Sequence, residues 1–429
     1  MPAPAPSLIL TFEDARRVVE AHASQASPPK IETVNLLHSA GRILAEPLTA
    51  DRDLPPFPRA TRDGYALRAS DLAQLPAKLK VLGEIKAGPP PGQTPAVLNR
   101  GEAYSIMTGA PVPQGADAVV MVEYSSQQDG FVEITRAVAP KENIVAQGAE
   151  AKRADLLVHA GARLNESAVA LAASVGKSRL KVFVRPRVAI LTTGDEIVPV
   201  DSEPGPAQIR NSNTYSLAVQ AQQAGGHPVL LPIAPDEPRR LRQLIEEGLQ
   251  SDLLIMTGGV SMGRYDLVEQ ALADLQAEFF FTGAKIQPGK PAVFGRASRG
   301  SGRLARSGAS APASKNAHPY FFGLPGNPIS TMVTFELFAR PMLEALAGMR
   351  PHPLIFLHAR LKSEIRVKTG LTRFLPAIIS GQYEDSHAEL VAWQGSGDIA
   401  ARARSNCYIV IPPDREYIAA GEWIAVMLR

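Results

Sequence analysis

Two segments decide the fold of this chain: RVAILTTG at residues 187–194 and DLLIMTGG at residues 252–259. Both are apolar until they reach a glycine turn, and PVLLPI at residues 228–233 repeats the apolar pattern between them. Strands that are apolar along their whole length and alternate with helices indicate a parallel sheet covered on both faces. The intervening helices are predicted at 212–226, 237–250 and 265–275. In such a sheet, ligands bind beyond the carboxyl ends of the strands.

The segments that flank this α/β region have different sequence patterns. Residues 11–23 are predicted to form an amphipathic helix with Thr11 as its N-cap, and residues 31–46 a second helix or helix pair. From residue 51, short β-like runs alternate with proline- and glycine-rich turns, which predicts a small β-rich domain. Residues 160–176 return to a helical pattern, and short strands after residue 353 indicate a β-barrel.

The predicted fold class is therefore α/β plus β, in a multidomain chain. The predicted domains are a discontinuous helical domain (8–50 and 151–180), an inserted β-rich domain (51–150), a doubly wound, mostly parallel α/β domain (181–348) and a C-terminal β-barrel domain (349–429). Within the α/β domain, residues 330–347 are predicted to be a helix that is kinked or broken near Pro341. Residues 297–318 are predicted to be a flexible loop, with a basic arm for an anionic partner as the alternative.

Composition excludes several classes of protein. The 429 residues carry 45 Lys and Arg against 42 Asp and Glu, a net charge of +3 that does not indicate nucleic-acid or membrane-surface binding. The single cysteine, Cys407, excludes an intrachain disulfide and a cysteine-based zinc site, and the apolar run around it predicts a buried, inert thiol. No segment reads as a signal peptide or a membrane span. The protein is predicted to be cytoplasmic.

Four loops at predicted strand ends have the composition of a phosphate site. A glycine-rich loop that leads into a helix presents backbone N–H groups and the positive end of the helix dipole to an anion. Each loop alone is better explained as a turn with helix caps, but four such loops at one sheet edge favour a binding site. The loops are TTGDE at 192–196, IRNSN at 209–213, TGGVSMG at 257–263 and LPGNP at 324–328, with hydroxyl donors at Thr257 and Ser261.

Carboxylates occur at the same edge of the predicted sheet. They are Asp195, Glu196, Asp236 and Asp266. A phosphate cradle surrounded by acids implies a hard cation, Mg²⁺ in the first instance, because the negative charges would otherwise repel the ligand. Residue chemistry alone thus predicts an α/β domain that binds a phosphorylated small molecule together with Mg²⁺.

These loops, in this order, resemble the molybdopterin molybdenumtransferase family, which includes bacterial MoeA and the E domain of gephyrin. The resemblance runs nearly end to end. It includes LPPFPRATRDGYA (54–66), SIMTGAPVP (105–113), VRPRVAILTTGDEIV (184–198), DLLIMTGGVSMGRYDLV (252–268), QPGKPAVFG (287–295), FGLPGNPISTMVTFELFARP (322–341) and QGSGDIAARARSNCYIVIPP (394–413). Several motifs over this length are far more specific than any one of them alone.

The resemblance implies a reaction and a set of partners. The substrates would be adenylylated molybdopterin and molybdate; molybdenum is left on the dithiolene, and AMP is released in a Mg²⁺-dependent step. It also implies a homodimer whose site lies between subunits, and contact with the molybdopterin adenylyltransferase and with apo-molybdoenzymes. Neither a nucleic acid nor a membrane is expected as a partner.

The same resemblance implies roles for individual residues. The catalytic set would be Asp63, Thr108, Glu196, Asp236, Asp266 and Lys290, of which Glu196, Asp236 and Asp266 would hold the metal. The substrate-binding set would be Thr193, Gly194, Asp195, Asn211, Ser212, Gly258, Gly259, Ser261, Pro325, Gly326, Asn327, Pro328 and Ser396. For Lys290 the alternative is a solvated lysine, for Asp63 a loop hydrogen-bond acceptor, and for Gly64 and Gly109 simple turn glycines.

The chain departs from the family pattern at Gln287, Val145 and Pro376, where the family carries a lysine or an arginine. Loss of positive charge affects the binding of molybdate, a dianion. The cations that would compensate are Arg62, Lys285, Arg373 and Arg404. Two other functions therefore stay open: a molybdopterin-binding paralogue or scaffold that does not insert metal, and a molybdopterin adenylyltransferase, which would need an ATP triphosphate site.

Overall fold

The computed structural model describes residues 8–88, 95–258, 267–297 and 319–428. Contacts along the chain divide it into two units. The larger unit contains the chain up to Ala45, Gly161–Asn165 and the chain from Arg179 onward; the smaller unit contains Glu46–Ala160 and Glu166–Ser178. The division of the sequence into four domains stays a prediction.

A six-stranded sheet forms the centre of the larger unit. Its order is His227–Leu230, Arg187–Thr192, Leu253–Thr257, Tyr320–Leu324, Val293–Arg296 and Glu278–Phe281. The first four strands are parallel and the last two are antiparallel additions. The predicted mostly parallel sheet is confirmed.

Both faces of this sheet are covered, as the apolar strands predict. Val188 and Ile190 belong to one hydrophobic cluster, whereas Ala189 and Leu191 belong to another, because successive side chains of a strand point to opposite faces. All four are fully buried, and full burial of a Val, Leu or Ile side chain contributes roughly 1.5–3 kcal/mol. The first face carries helices Phe12–Ala23, Asn213–Gln223 and the helical segment Pro328–Leu346; the second carries Pro238–Gly248 and Leu267–Asp274.

The helical segment Pro328–Leu346 is interrupted where the sequence predicts it. Its turns are α-helical over Pro328–Thr334, π-helical over Phe335–Ala339 and α-helical again over Arg340–Leu346. Pro341 has no N–H to offer the carbonyl of Leu337, four residues earlier. That carbonyl instead accepts a hydrogen bond of 2.7 Å from Nη1 of Arg16, which is 8% exposed on the helix Phe12–Ala23. The proline thus creates an acceptor that helps to fix the N-terminal helix.

A closed five-stranded barrel lies near the C-terminus. Its strands are Leu357–Leu361, Thr372–Ser380, His387–Leu390, Cys407–Ile411 and Trp423–Leu428. Thr372–Ser380 pairs with both His387–Leu390 and Cys407–Ile411, and the other pairings complete the ring. Cys407 is fully buried in the barrel core, as predicted, and burial raises the pKa of its thiol to about 11.

One predicted helix is wrong. Residues Ile31–Asn35 form a strand that pairs antiparallel with Arg179–Phe183, and only Leu36–Ser39 is helical. The sequence IETVN contains three β-branched residues, which favour a strand when a partner is present. That partner lies far along the chain, so local periodicity did not reveal it. The predicted cap of the first helix is confirmed, because the Thr11 hydroxyl accepts a hydrogen bond from the N–H of Asp14 at 3.1 Å.

The larger unit is completed by further strand pairings. They are Ile9–Leu10 with Gly283–Ala284, Ile197–Val198 with Ile209–Arg210, Ile286–Gln287 with the barrel strand Thr372–Ser380, and Ile365–Arg366 with Tyr417–Ile418. Among the helices that the structure describes, none combines the length and the apolar composition that crossing a membrane requires.

The smaller unit is built around a six-stranded sheet, as the short β-like runs predict. Its order is Ala118–Met121, Gly64–Leu67, Glu102–Ile106, Ala77–Ile85, Phe131–Ile134 and Ser125–Gln128. Apolar side chains on the two faces form separate clusters. Leu48–Thr49 pairs with Leu156–Val158 and Arg59–Ala60 with Ile144–Val145; the helical elements are Ala69–Leu72, Val122–Tyr124 and Glu166–Ser174.

Gly64 occupies a position in this sheet that has no room for a side chain. A Cβ atom at Gly64 would lie 1.8 Å from the carbonyl oxygen of Val120 on the neighbouring strand. The glycine of the DGYA motif is therefore required by the close approach of two strands. Gly109, in the TGAP motif, is different: its φ is +82°, and the nearest atom to a Cβ would be 3.9 Å away.

We expect Gly64→Ala to destabilise the smaller unit far more than Gly109→Ala. The first substitution forces the paired strands Gly64–Leu67 and Ala118–Met121 apart, whereas the second adds only backbone strain of about 1–2 kcal/mol. Hydrogen exchange of the sheet amides and thermal unfolding would measure the difference. Equal losses in the two variants would contradict the steric explanation.

Candidate functional site

The loop Thr193–Glu196 is tied to the ends of two neighbouring strands. The N–H of Thr193 donates to the carbonyl of Thr257 at 3.0 Å, and the N–H of Gly194 donates to the carbonyl of Ala234 at 3.2 Å. Asp195 Oδ1 accepts the N–H of Asp236 at 3.0 Å. Three predicted site segments therefore meet at the carboxyl edge of the parallel sheet.

Three of the four predicted carboxylates lie together at this edge. Loss of hydration raises the pKa of Asp236 above its usual value, and the negative charges of Asp195 and Glu196 raise it further. The Glu196 carboxylate lies against the backbone of Gly194, since a Cβ atom there would be 2.5 Å from Glu196 Oε2. Mutually repelling carboxylates of this kind suit a hard cation.

Two of the three predicted metal ligands lie among the residues that the structure describes. Glu196 and Asp236 are electrostatically coupled, while Asp266 lies outside the described residues. Within the described ranges, no three His, Cys, Asp or Glu side chains are grouped closely enough to hold a metal ion by themselves. The carboxylates present would bind a cation only together with ligands from elsewhere.

Buried hydroxyl groups join the strand end at Thr257 to the turn that follows the next strand. Thr257 Oγ1 donates to the carbonyl of Pro325 at 3.0 Å, and Thr331 Oγ1 donates to the same carbonyl. Both threonines are fully buried. They hold the turn Pro325–Pro328, and with it the exposed Gly326 and Asn327, against the end of the central strand.

Asn213 completes this network, and the sequence analysis missed it. Its Nδ2 donates to Thr257 Oγ1 at 3.1 Å and to the carbonyl of Gly326 at 2.7 Å. Asn213 therefore connects a helix N-terminus, a strand end and a turn. The IRNSN motif contained the signal, but a choice among its three uncharged polar residues requires the tertiary contacts.

The two residues predicted from that motif have other surroundings. Asn211 is buried and satisfied locally: its Oδ1 accepts the N–H of Thr214 at 3.2 Å, and its Nδ2 donates to Thr214 Oγ1 at 2.9 Å. Ser212 is exposed, and its side chain does not cap the helix that follows. The geometry gives Asn211 a structural role; ligand binding by Asn211 and Ser212 stays a prediction.

Two glycine backbones approach each other at the centre of the site. Gly258 has φ of +88°, and a Cβ atom there would lie 2.3 Å from the carbonyl oxygen of Thr193. A Cβ atom at Gly326 would lie 3.5 Å from the Cα atom of Gly258. The absence of side chains keeps the backbone of both loops bare, which is what a backbone cradle for a phosphate requires. Gly259 and Ser261 lie outside the described residues.

Two buried polar atoms beside this cradle have spare hydrogen-bonding capacity. Thr193 Oγ1 and Asn213 Oδ1 have no hydrogen-bond partner among the described residues, although Thr193 is 2% exposed and Asn213 is 8% exposed. Buried polar groups in native proteins are almost always satisfied. Unpaired atoms at this position are consistent with a bound group or a loop that supplies the partner.

Ser396 and Gly289, the neighbour of Lys290, contact the helix that begins at Pro328 from different parts of the larger unit. The carbonyl of Ser396 accepts the N–H of Ile329 at 2.9 Å, at the first turn of the helix that begins at Pro328. Gly289, beside Lys290, lies against that helix, since a Cβ atom would be 2.4 Å from Thr334 Cγ2. The Lys290 side chain is exposed.

Asp63 and Thr108 are adjacent in the smaller unit. Asp63 Oδ1 accepts the N–H of Thr108 at 2.7 Å and its hydroxyl at 3.0 Å, and these bonds lower the pKa of Asp63. The structure thus brings the DGYA and TGAP motifs together and keeps an exposed carboxylate ionised.

The raised pKa of Asp236 gives a stability test. The folded state holds this proton more tightly than the unfolded chain, so the stabilising contribution is present at low pH and is lost as the pH rises through the raised pKa. We expect Asp236→Asn to raise the unfolding midpoint at pH 7, and the gain to vanish once the pH falls below the unfolded-chain aspartate pKa of about 3.9.

Calorimetry or fluorescence-monitored unfolding of the apoprotein across pH would measure this effect. Asp201→Asn removes an exposed aspartate outside the cluster and serves as the control. A destabilised Asp236→Asn protein at neutral pH would show that the Asp236 carboxylate is not under electrostatic strain.

Comparison with known protein families accounts for most of the chain in three regions. Residues 10–176 match the MoeA N-terminal region (domain I and II), residues 189–345 match the family described as "probable molybdopterin binding domain", and residues 358–428 match the MoeA C-terminal region (domain IV). The three regions follow one another in the order in which the motifs occur.

Individual relatives agree with these matches. The chain is 34% identical over 406 residues to the molybdopterin molybdenumtransferase of Nostoc sp., covering 92% of this chain and 88% of that protein. It is 32% identical over 407 residues to the enzyme of the same name from Haemophilus influenzae, covering 93% and 94%.

Solved structures of similar proteins share the fold. A crystal structure of the molybdopterin biosynthesis MoeA protein from Pyrococcus horikoshii is 32% identical, with a TM-score of 0.70, and covers 98% of this chain and 99% of that one. A second structure from the same organism is 26% identical, with a TM-score of 0.76, and covers 98% and 100%. With three family regions in order and full-length relatives at this identity, the chain belongs to the molybdopterin molybdenumtransferase family.

Proposed function

We propose that this protein transfers molybdenum from molybdate to adenylylated molybdopterin and releases AMP in a Mg²⁺-dependent step. Membership of the family supports the transferase class. The observation that carries the chemistry is the carboxylate cluster of Asp195, Glu196 and Asp236 at the sheet edge that also holds the bare glycine backbone of Gly258 and Gly326.

The loops of this edge would hold the phosphates and the pterin. Backbone N–H groups around Gly258 and Gly326 suit phosphate oxygens, because no side chain blocks their approach. Thr193 Oγ1 and Asn213 Oδ1 would pair with polar groups of the substrate. Ser396 and Lys290 would also contact the substrate.

The donor set fits Mg²⁺. Magnesium is usually held by one or two carboxylates together with substrate phosphate oxygens. Glu196 and Asp236, with Asp266, would be the protein ligands, and Asp195 orients the loop by accepting the N–H of Asp236. When bound, the cation would offset the charge of the linked phosphates.

The molybdate-binding part of the site would use positively charged side chains at positions other than those of the family pattern. Gln287 is the register partner of Arg373, which is 6% exposed and donates to the carbonyl of Leu371 at 3.2 Å. Burial lowers the pKa of Arg373. A guanidinium held in a poorly hydrated position is suited to bind a dianion. The positive charge of Arg373 would therefore replace the charge that is absent at Gln287.

The remaining expectations belong to the same proposal. They are a homodimer in which each subunit completes the site of the other, delivery from the molybdopterin adenylyltransferase, transfer to apo-molybdoenzymes and a cytoplasmic location. Sedimentation velocity of the full chain tests the first of these directly.

AMP release from adenylylated molybdopterin tests the proposed function. With Mg²⁺, we expect release to depend on molybdate and the product to activate an apo-molybdoenzyme. Tight substrate binding without release in either condition would favour a binding protein or scaffold. ATP consumption with molybdopterin as acceptor would instead favour an adenylyltransferase.

A comparison with a structural carboxylate of the same unit, Asp53, tests whether Asp63 is catalytic. Asp53 is also exposed, and it accepts the N–H of Arg153 and the side-chain amide of Gln147, both at 3.0 Å. We expect Asp63→Asn to lower AMP release by about 10²-fold, the lower range for loss of an acid–base group, while Asp53→Asn leaves the rate unchanged.

Both asparagines retain an acceptor oxygen, so the unfolding midpoint should move little in either variant. Equal rates of AMP release in the two variants would show that Asp63 only joins two loops and has no catalytic role.

A further inference from the structure

A cavity of about 360 Å³ lies between helix Asn213–Gln223, the helical segment Pro328–Leu346 and the C-terminal barrel. This volume falls within the range of about 300–1,000 Å³ that small-molecule sites occupy. None of its lining residues belongs to the candidate site at the sheet edge. Six of the seven lining side chains are polar or charged, which suits a polar ligand; the lining consists of Gln220, Gln223, Met332, Glu336, Arg340, Arg402 and Tyr408.

The lining carries an excess of one positive charge, since it contains two arginines and one glutamate. Arg340 Nε donates to Glu336 Oε2 at 2.5 Å, and Arg340 Nη2 donates to Glu336 Oε1 at 3.0 Å. The two side chains are 11% and 5% exposed. Glu344, a second partner of Arg340, is shared with Arg163, so that including both of these groups leaves the positive excess at one. A singly charged anion would balance it.

Arg402 presents a guanidinium that the barrel holds in place. The residue lies on the short helix Ile399–Arg404, and its Nε donates to the hydroxyl of Tyr408 at 2.6 Å. Its Nη1 donates to the carbonyl and to the hydroxyl of Ser405, both at 3.1 Å. The guanidinium also lies over the Tyr408 ring, 4.8 Å from the centroid. A planar guanidinium that is already fixed loses little entropy when it binds a carboxylate.

Gln220 contributes an acceptor that the described residues leave unsatisfied. Its Nε2 donates to the carbonyl of Met332 at 3.1 Å and to Glu336 Oε1 at 2.8 Å. Because both partners are acceptors, the orientation of the amide is fixed and Oε1 is the atom that remains. Gln220 Oε1 is buried and has no hydrogen-bond partner among the residues that the structure describes. Buried polar atoms are almost always satisfied, so the occupant of the cavity should carry a donor.

We propose that this cavity binds a small polyhydroxylated carboxylate, a sugar acid. Its carboxylate would pair with Arg402, and its hydroxyl groups would donate to Gln220 Oε1 and bond to the exposed amide of Gln223. A fully ionised inorganic oxyanion has no donor for Gln220, and an uncharged sugar does not balance the positive excess. The inference does not depend on the proposed function, because no residue of the candidate site lines the cavity.

Calorimetry of the full chain in metal-free buffer with D-gluconate, D-glucose and hexanoate tests the proposal. All three compounds have six carbons, but glucose lacks the charge and hexanoate lacks the hydroxyl groups. We expect gluconate to bind at least about tenfold more tightly than either, because a hydrogen bond to a charged group is worth about that factor. Equal binding of the three compounds, or no binding of gluconate, would overturn the proposal and leave the cavity to water.

Substitution of Arg402 tests the position of the ligand. Arg402→Met removes the charge and keeps a long side chain, and we expect it to weaken gluconate binding about tenfold or more. Arg240→Met, which removes an exposed arginine of another helix, is the matched control and should leave the affinity unchanged. The unfolding midpoint of each variant shows whether it folds, and the comparison of the three compounds in the wild-type protein needs no variant. Gluconate affinity that is equal in Arg402→Met and wild type would overturn the proposal.

A competition experiment separates this cavity from the candidate site. Saturating AMP with Mg²⁺ should leave gluconate binding unchanged, because the two ligands would occupy different places. Displacement of gluconate by AMP would place gluconate at the sheet edge and overturn the inference, whatever the outcome of the AMP-release assay.

Discussion

The hydrogen bond from Thr257 Oγ1 to the carbonyl of Pro325 is the contact on which the candidate site depends. It joins the end of one central strand to the turn after the next, and Asn213 adds a third segment by donating to Thr257 and to Gly326. Because these groups are buried, an unmet hydrogen bond would cost about 1–3 kcal/mol. The network therefore fixes the mutual positions of loops that come from distant parts of the chain.

Around this fixed centre, the structure retains features that do not favour stability. Asp236 is held beside two other carboxylates and takes a raised pKa, and two buried polar atoms have no partner among the described residues. Local electrostatic and hydrogen-bonding conflicts of this kind are typical of binding sites, because a ligand or cation can resolve them. The inner strands of the central sheet, Leu253–Thr257 and Tyr320–Leu324, are by contrast buried on both faces.

Pro341 shows how one residue affects distant packing. The proline removes a donor from the helix, the chain adopts a π-helical turn, and the released carbonyl of Leu337 binds Arg16 of the N-terminal helix. The break was predictable because proline lacks an N–H. Its use as a tertiary contact was not, because Arg16 and Leu337 are 321 residues apart. The same limit explains the wrong helix at Ile31–Asn35, whose strand partner begins at Arg179.

The sequence by itself determined the parallel α/β sheet, the β-rich segments and the loops that meet at one sheet edge, because apolar periodicity and glycine turns are local properties. It also identified Asp195, Glu196 and Asp236 as residues of that edge. Only the tertiary structure decided which polar side chain of IRNSN joins the loops, since Asn211 is satisfied within its own turn and Asn213 reaches Thr257 and Gly326. The same holds for the steric need for Gly64. Close approach between segments is a property of packing, and packing brings together residues that no local pattern relates.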